Sequence, residues 1–522
     1  GALPLHAVAP DELDDAPRGA RQGGGLVEHE ASEVDGVQAV GVLVGVDQRQ
    51  RPVLVEVLRD RQLHDVPRAG VVGVESLDRR PDLDALLQLA LDRKYSASPG
   101  EAFFTGGGLH TFGNFNKNDN GRIVTVRQAT EHSINLPYIR LMRDLVRYYE
   151  ARLPYDTTAV LSDINHPVRL KMLHEIADEE SKIFLSRAYR SFKDRSQKEI
   201  IAELLGNKAA SDRHLAILFY AWHRGADESG LHSWLQDHLG DVTPAQVARL
   251  AKAYGNPRLN LADYGYLLGI HPLNVWCAAE MAKDPSIEWS RLWEASIEAR
   301  QVSSSWLFKT RNRKAQDLRL RIRIEQDAFL RMTPHWKRLG FPFDRLVPSL
   351  ATAIGSSGDR PESLAQLVGI FLNDGMLRPV IRMAELRFAA GTPYETAMAP
   401  ADTPGKRVMP QAVARAILPV LAKVVEGGTA IRLAGAYKVG DKKLVVGGKT
   451  GSGDNRFNAV GRGGGVIASR AVDRTAAFVF YIGDRYFGVI TVFVPGAESE
   501  GYGFTSSLPV AILKLLAPEI EK

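Results

Sequence analysis

The spacing of hydrophobic residues changes character along the chain. Between residues 155 and 340 apolar positions recur every three or four residues, as in "VRLKMLHEIADEESKIFLSRAYRSF", which predicts helices almost throughout. After residue 341 two helical patterns are followed by the apolar runs "KLVV", "GGGVIASR", "TAAFVFYIG" and "FGVITVFV", which predict strands, with a hairpin turn at "IGDRYFG". The run "SSLPVAILKLL" predicts a closing helix. This order predicts an α+β fold, an antiparallel sheet covered by helices, with a large all-helical insertion.

Capping residues place the ends of several helices. Thr125 is suited to cap a short helix that runs through His132, and Pro137 suits the first turn of the helix that follows. In "DRPESLAQLVGIFLNDG" we expect Asp359 to cap a helix, and "PQAVARAILPVLAKVVEGG" predicts a further helix bent at its internal proline. Residues 95–125, rich in Gly, Asn and Phe, are predicted to be ordered loop.

The first ninety residues have an unusual alphabet. Residues 1–93 contain no Lys, Ile, Phe, Tyr, Trp, Met, Thr or Asn, and nearly all of their residue types have codons that begin with G or C. We interpret residues 1–93 as an out-of-frame segment, with a disordered low-complexity leader as the alternative. The remaining chain is predicted to comprise residues 95–149, a helical insertion at 150–340, and residues 341–522.

Composition narrows the possible functions. The chain has 522 residues, a net charge of +5 and a pI near 9.0, a balance too weakly basic to indicate a nucleic-acid partner. Its one cysteine, Cys277, excludes an internal disulfide and is predicted to be a core residue. No run of 18 apolar residues occurs. We expect no cofactor.

The helical region contains two charged stretches. His174-Glu175 with Asp178 and Glu179 lacks the His-Glu-x-x-His spacing of a zinc site, so we predict a solvated helix face and no metal. The basic run at 309–323 is likewise predicted to be a solvated face, with a contact for anionic envelope polymers as the alternative.

The stretch "LVVGGKTGSGDNRF" contains two overlapping motifs. A phosphate-binding loop requires Gly-x4-Gly-Lys-Thr followed by a helix, but the first glycine position is Lys443, and "GSGDNRFNAVGRGGG" cannot start a regular helix. The alternative is Lys-Thr-Gly, the edge-strand motif of serine acyl-transfer enzymes. It lies next to predicted strands and after the helix that ends in "VVEGGTA".

Several phrases share one resemblance. "GNFNKNDNGRIVTVRQATEHSINLPYIRL", which contains Ser133-x-Asn135, "LVPSLATAIGSSGDRPESLAQLVGIFLNDGMLRP", "VMPQAVARAILPVLAKVVEGGTA" and "GGKTGSGDNRFNAVG" occur in this order. Together they resemble the transpeptidase domain of penicillin-binding proteins, especially the bifunctional type with a family 51 glycosyltransferase domain. The resemblance covers 95–149 and 341–522 and implies a penicillin-binding/β-lactamase-like fold.

The resemblance implies roles for the motif residues in cleaving a D-Ala-D-Ala amide through an acyl-serine. In this family the attacking serine belongs to a Ser-x-x-Lys motif. Ser133 would relay a proton between the lysine of that motif and the leaving group. Asn135 would orient that lysine and hold a substrate amide. Lys449 and Thr450 would bind the substrate carboxylate through charge and hydroxyl.

Two further positions of the Lys-Thr-Gly strand follow from the same resemblance. Gly451 would let the substrate backbone approach the strand, and the N–H of Ser452 would form half of an oxyanion hole. Simpler roles stay open for the other residues: Ser133 as a helix-terminus residue, Asn135 as a helix cap, and Lys449 as a solvated strand end.

The sequence departs from this family at the nucleophile. A serine hydroxyl needs an adjacent base, which the family supplies as Ser-x-x-Lys before Ser-x-Asn. No serine that precedes Ser133 meets this requirement, because the residues three positions after them are Asp35, Arg79, Pro99 and Glu101. We therefore expect this chain to be a D,D-transpeptidase domain of the kind that crosslinks peptidoglycan, but inactive in the sequence as it stands.

The resemblance also sets the expected surroundings. The partner would be the peptidoglycan stem peptide, and β-lactams would bind covalently only if the nucleophile were restored. The intact protein would act at the periplasmic face of the inner membrane, with a membrane anchor absent from this chain. Two alternatives stay open: a non-catalytic cell-wall scaffold or regulator that binds an envelope protein through 150–340, and an unrelated helical module without a cleft joining Ser133 to Lys449.

Overall fold

The computed structural model describes residues 40–46, 82–399, 403–460 and 466–521, with backbone alone for 40–46, 457–460 and 466–469. The chain divides into two compact units. Unit 1 combines the residues up to 154 with those from 324 onward, and unit 2 is residues 155–323. The interpretation of residues 1–93 falls largely outside the described residues and stays a prediction, as does that of 150–340 as an insertion.

Strands in the described ranges are mostly short, with three long ones near the C-terminus. In chain order they are β1 (Val40–Val46), β2 (Lys94–Ser96), β3 (Ala102–Thr105), β4 (Gly108–Thr111), β5 (Ile123–Thr125), β6 (Met376–Leu377), β7 (Leu386–Phe388), β8 (Thr396–Met398), β9 (Lys406–Arg407), β10 (Lys438–Val439), β11 (Lys442–Lys443), β12 (Val446–Val460), β13 (Val466–Ile482) and β14 (Tyr486–Pro495).

Helices occupy most of the remainder of the described chain. They are α1 (Leu83–Asp92), α2 (Val126–His132), α3 (Asn135–Glu150), α4 (Thr157–Ser162), α5 (Pro167–Phe192), α6 (Gln197–Leu205), α7 (Asp212–Trp222), α8 (Glu228–Leu239), α9 (Pro244–Tyr254), α10 (Leu261–Leu268), α11 (Pro272–Lys283), α12 (Trp289–Ala295), α13 (Ile297–Ser304), α14 (Arg313–Arg338), α15 (Pro361–Leu372), α16 (Gln411–Glu426), α17 (Ser507–Leu515) and α18 (Ala517–Ile520).

Unit 1 is built on an antiparallel sheet with strand order β1-β14-β13-β12. Alternate residues of β13 point to opposite faces. Phe478 and Phe480 pack into the core that contains Val510 of α17, whereas Tyr481 packs with Val368 of α15 and Leu421 of α16. Helices therefore cover both faces of the sheet, and the expected combination of helices with an antiparallel sheet is confirmed.

A second core of unit 1 joins α3 to the C-terminal part of α14. Ile139 and Met142 of α3 pack with Phe329 and Met332 of α14 and with Phe103 of β3. Beside it, Ala129 of α2 and Ile134 form a smaller cluster with Val124 of β5. These contacts fix the junction between α2 and α3.

Unit 2 has its own core. Its centre is α7, of which Leu215, Ile217 and Leu218 are fully buried, and Trp222 packs edge-on against Trp234 with ring centroids 5.8 Å apart. Cys277 is fully buried in the same core, as predicted. Six of the seven tryptophans lie within the limits of unit 2, whereas Trp336 packs in the α3–α14 core of unit 1.

The acidic stretch of α5 in unit 2 forms ion pairs. Glu180 accepts from Arg319 at 2.8 Å and Glu179 from Arg323 at 3.0 Å, and Asp178 pairs with Arg300. Part of the basic run at 309–323 therefore pairs with α5 instead of forming a purely solvated face. Within the described ranges no group of three or more His, Cys, Asp or Glu residues could hold a metal ion.

Several predicted elements need correction. Residues 95–125 contain short strands: β3 and β4 pair across a tight turn at Gly106 (φ 57°), and β2 pairs with β5. "GGGVIASR" and "TAAFVFYIG" belong to one strand, β13, since pairing with β12 continues along it. The N-cap of α15 is Arg360, and the carboxylate of Asp359 accepts from the backbone N–H of Arg360 instead of from a helical N–H.

Candidate functional site

Ser133 occupies the turn between α2 and α3. The helix α2 begins at a capping box formed by Thr125 and Gln128, as the sequence predicts. It ends with Ser133 in the left-handed conformation, φ 55° and ψ 46°, while the N–H of buried Ile134 bonds to the carbonyl of Ala129 at 3.0 Å. This closure turns the chain sharply and holds the Ser133 side chain at the helix end.

Lys449 lies in β12, a strand at the margin of the main sheet. It is paired with Val479 of β13, and the next residue, Thr450, is paired with Phe478. Successive strand residues point to opposite faces, so the side chains of Lys449 and Thr450 leave the strand in different directions.

The structure brings Ser133 and Lys449 together. The Lys449 Nζ donates to Ser133 Oγ at 2.6 Å, across 316 positions of sequence, and to the carbonyl oxygen of Thr450 at 2.9 Å. Among the described residues these are its two acceptors, and an ammonium has three N–H donors. One N–H of Lys449 therefore remains for a ligand.

Burial lowers the pKa of Lys449 to about 8. Desolvation penalises the charged form of an amine, and no described carboxylate offsets it. The ammonium is still the major form at neutral pH. A ligand carboxylate would therefore meet a poorly hydrated positive charge, which favours ion pairing.

Thr450 shares a hydrogen bond with a residue that no sequence motif indicated. Its hydroxyl lies 2.7 Å from that of Thr429, which follows α16. Thr450 is only 6% exposed, whereas Thr429 is exposed. In the sequence, the signal for this residue is its place in the phrase "VVEGGTA", which ends the helix before the Lys-Thr-Gly strand.

Neither Asn135 nor Ser452 directs its side chain to the Ser133–Lys449 pair, and Gly451 is exposed. The side-chain amide of Asn135 donates to the carbonyl oxygen of Gly113 at 3.1 Å; the residue is the first of α3, and its N-cap is Ile134. Gly451 is exposed, and a Cβ added there would meet nothing within 4 Å. The Ser452 hydroxyl accepts from the N–H of Ser506 at 2.8 Å.

The arrangement suits anion binding better than acyl transfer. Lys449 provides a charge, and Ser133, which accepts from Lys449, retains its own O–H as a donor. The full sequence contains no Ser-x-x-Lys at any position, so the paired serine and lysine of such a nucleophile are not present in this chain.

Of the helices in the described part, none is long and apolar enough to cross a membrane.

Comparison with known proteins gave structural similarities of low degree. No family model matches the chain, and no curated protein matches it. A peptidoglycan synthetase from Bifidobacterium adolescentis is 16% identical, with a TM-score of 0.22, over 33% of this chain and 29% of that one.

Two further solved structures are similar to the same degree. The D,D-transpeptidase domain of a peptidoglycan glycosyltransferase from Eggerthella lenta is 13% identical, with a TM-score of 0.29, over 84% of this chain and 63% of that one. Penicillin-binding protein 3 from Mycobacterium tuberculosis is 17% identical, with a TM-score of 0.25, over 38% of this chain and 48% of that one. The chain spans less than two thirds of each of these proteins. Similarity this low establishes neither family nor function.

Proposed function

We propose that this chain belongs to a D,D-transpeptidase of the penicillin-binding type and that its Ser133–Lys449 site binds the carboxyl end of a peptidoglycan stem peptide. The observation that carries the proposal is the 2.6 Å hydrogen bond between Lys449 Nζ and Ser133 Oγ. It joins Ser133-x-Asn135 to Lys-Thr-Gly, the two motifs to which the family resemblance assigns roles. A chance occurrence of either tripeptide gives no reason for the two to meet.

The roles proposed for the residues follow from their donors. The free N–H of Lys449 and the O–H of Ser133 would both be directed to a ligand carboxylate or to the peptide oxygen next to it. The side-chain amide of Asn135 would donate to a ligand only by leaving its present partner, the carbonyl oxygen of Gly113. The role proposed for Ser452 belongs to its backbone N–H and is independent of its hydroxyl, which accepts from Ser506. Acyl transfer requires the missing serine nucleophile, so this sequence would bind ligand without forming an acyl-serine.

Equilibrium binding of an N-acylated D-Ala-D-Ala peptide tests the proposal. Ligand-observed NMR should show binding to the wild-type chain, weaker binding to Lys449→Met, and none of an L-Ala-L-Ala peptide. Lys442→Met is the matched control, because Lys442 is an exposed lysine on neighbouring β11. A fluorescent penicillin should leave no covalent label on a denaturing gel. Equal affinity for wild type and Lys449→Met would refute the assignment of the site.

A second function is a non-catalytic cell-wall scaffold that retains the peptide site and binds an envelope partner through unit 2. The absence of Ser-x-x-Lys throughout the sequence favours it. Sequencing the DNA that encodes residues 1–93 discriminates between the two. An in-frame Ser-x-x-Lys in a corrected sequence favours the enzyme, and confirmation of the present sequence favours the scaffold. For either function we place the site on the periplasmic side of the inner membrane.

A further inference from the structure

Thr429 lies in a short bridge, residues 427–429, that contacts both motif-bearing segments. The N–H of Thr429 donates to the carbonyl oxygen of Glu131 at 3.2 Å, two residues before Ser133. The Thr429 hydroxyl lies 2.7 Å from that of Thr450 in β12. One residue thus touches the end of α2 and the Lys-Thr-Gly strand.

The bridge depends on a close backbone approach. A Cβ added to Gly428 would lie 2.1 Å from the carbonyl oxygen of Glu131, a distance at which the backbone must move. Glycine at this position therefore lets the bridge lie directly against α2. The backbone that carries the Thr429 side chain is consequently held against the carbonyl of Glu131 at the end of α2.

The two hydroxyls differ in access to solvent. The Thr450 side chain is buried and has Thr429 as its hydroxyl partner, while Thr429 is exposed. A hydroxyl carries one donor proton and two acceptor lone pairs. When the buried Thr450 hydroxyl donates outward to Thr429, the Thr429 proton is free to point to a ligand.

Lys449 and Thr450 leave β12 in different directions, but both reach the end of α2: Lys449 bonds to Ser133, and Thr450 bonds to Thr429, whose N–H is held by Glu131. We propose that Thr429 is a ligand-contacting residue of the site, and that its hydroxyl donates to the same carboxylate that Lys449 binds. This inference rests on the proposed function. The family resemblance places Thr450 against the carboxylate, but the burial of Thr450 makes it the inner partner that orients Thr429. The ligand class is a peptide with a free C-terminal carboxylate.

The test compares two ligands across hydroxyl variants of the full chain. The probes are an N-acylated D-Ala-D-Ala peptide with a free carboxylate and the same peptide as its C-terminal amide, both titrated by ligand-observed NMR. Wild type should prefer the carboxylate. In Thr429→Val that preference should fall by about 10- to 100-fold, as expected for a lost hydrogen bond to a charged group. Affinity for the amide should change little.

Conservative variants separate the hydroxyl from packing. Thr429→Ser should retain the preference, and Thr396→Val, at an exposed threonine of β8, should match wild type. Thr429→Ala is a second variant without the hydroxyl if Thr429→Val does not fold. An unchanged preference for the carboxylate in the hydroxyl-free variants would overturn the inference and leave the proposed function standing. The same conclusion would follow if Thr429→Ser lost as much of that preference as Thr429→Val. Absence of wild-type binding would overturn both.

Discussion

The burial of Lys449 predicts how the stability of unit 1 depends on pH. The perturbation is Lys449→Met, which keeps the length and apolar character of the stem but removes the ammonium. The substitution also removes two hydrogen bonds, to Ser133 Oγ and to the carbonyl oxygen of Thr450. At a single pH the loss of these hydrogen bonds is partly offset because a charge is no longer buried. The informative quantity is therefore how the difference in unfolding free energy between the two proteins changes with pH.

The magnitude follows from the pKa. Burial lowers the pKa of Lys449 from 10.5 to about 8. Because one pKa unit corresponds to about 1.36 kcal/mol, carrying the charged side chain at pH 7 lowers the stability of the folded protein by about 3 kcal/mol relative to a neutral side chain. Between pH 8 and 10.5 the unfolded chain holds a proton that the folded chain has released, so stability rises with pH. From pH 7 to pH 10 the wild-type chain should gain about 2–3 kcal/mol relative to Lys449→Met.

The assay is urea unfolding of both proteins at pH 7, 8.5 and 10, followed by far-ultraviolet circular dichroism. Because two units can unfold separately, the transition that the substitution shifts is the one to compare. Competitive acylation with peptide mass spectrometry measures the pKa of Lys449 in the folded protein directly. Lys442→Met is the unfolding control.

A flat difference between wild type and Lys449→Met across this pH range would refute the reasoning. So would an acylation profile for Lys449 centred near 10.5. Either result would mean that water reaches the ammonium, and the Ser133–Lys449 contact would then lose its significance for carboxylate binding.

Three further predictions concern backbone strain, a buried acid and the bridge. Ser133→Gly should be more stable than Ser133→Ala by about 1 kcal/mol in urea unfolding, because Ser133 has a left-handed backbone; equal stabilities would contradict this. Burial raises the pKa of Glu325 to about 7, so its stabilising effect is lost as pH rises through 7. The Glu325 carboxylate accepts from the Thr105 hydroxyl and from the N–H of Gly106, and a glutamine amide offers one acceptor oxygen, so Glu325→Gln carries a cost at every pH. Its stability relative to wild type should nevertheless rise by about 1–3 kcal/mol from pH 5 to pH 8, and equal effects at the two pH values would refute this. Gly428→Ala should lower the unfolding free energy by about 1–3 kcal/mol through its collision with Glu131, whereas Gly453→Ala, with nothing within 4 Å of the new Cβ, should have little effect; similar thermal unfolding of the two would argue against the bridge.

Much of the local structure could be predicted from sequence. Apolar spacing and end signals predicted α2, the helical character of 155–340 and the hairpin between β13 and β14, because these depend on residues close in the chain. Two of the failures involve longer contacts. The join of two predicted strands into β13 depends on pairing with β12, and β2 pairs with β5 across up to 31 residues, whereas the β3–β4 hairpin is local.

The candidate site shows the same division. Ser133, Asn135 and Lys449 could be singled out by sequence motifs, but no local pattern shows which of them meet. The structure joins Ser133 to Lys449 and directs Asn135 to Gly113.

By itself, the sequence of this protein determined its helical and strand segments, its motif residues and the lack of a Ser-x-x-Lys nucleophile. Only the tertiary structure decided the lowered pKa of Lys449, the burial of Thr450 and the exposure of Thr429 beside it. The physical reason is that solvent access and hydrogen-bond partners come from other segments of the chain, 21 residues away for Thr429 and Thr450 and 316 residues away for Ser133 and Lys449. A side chain's chemistry follows from those neighbours as much as from its own identity.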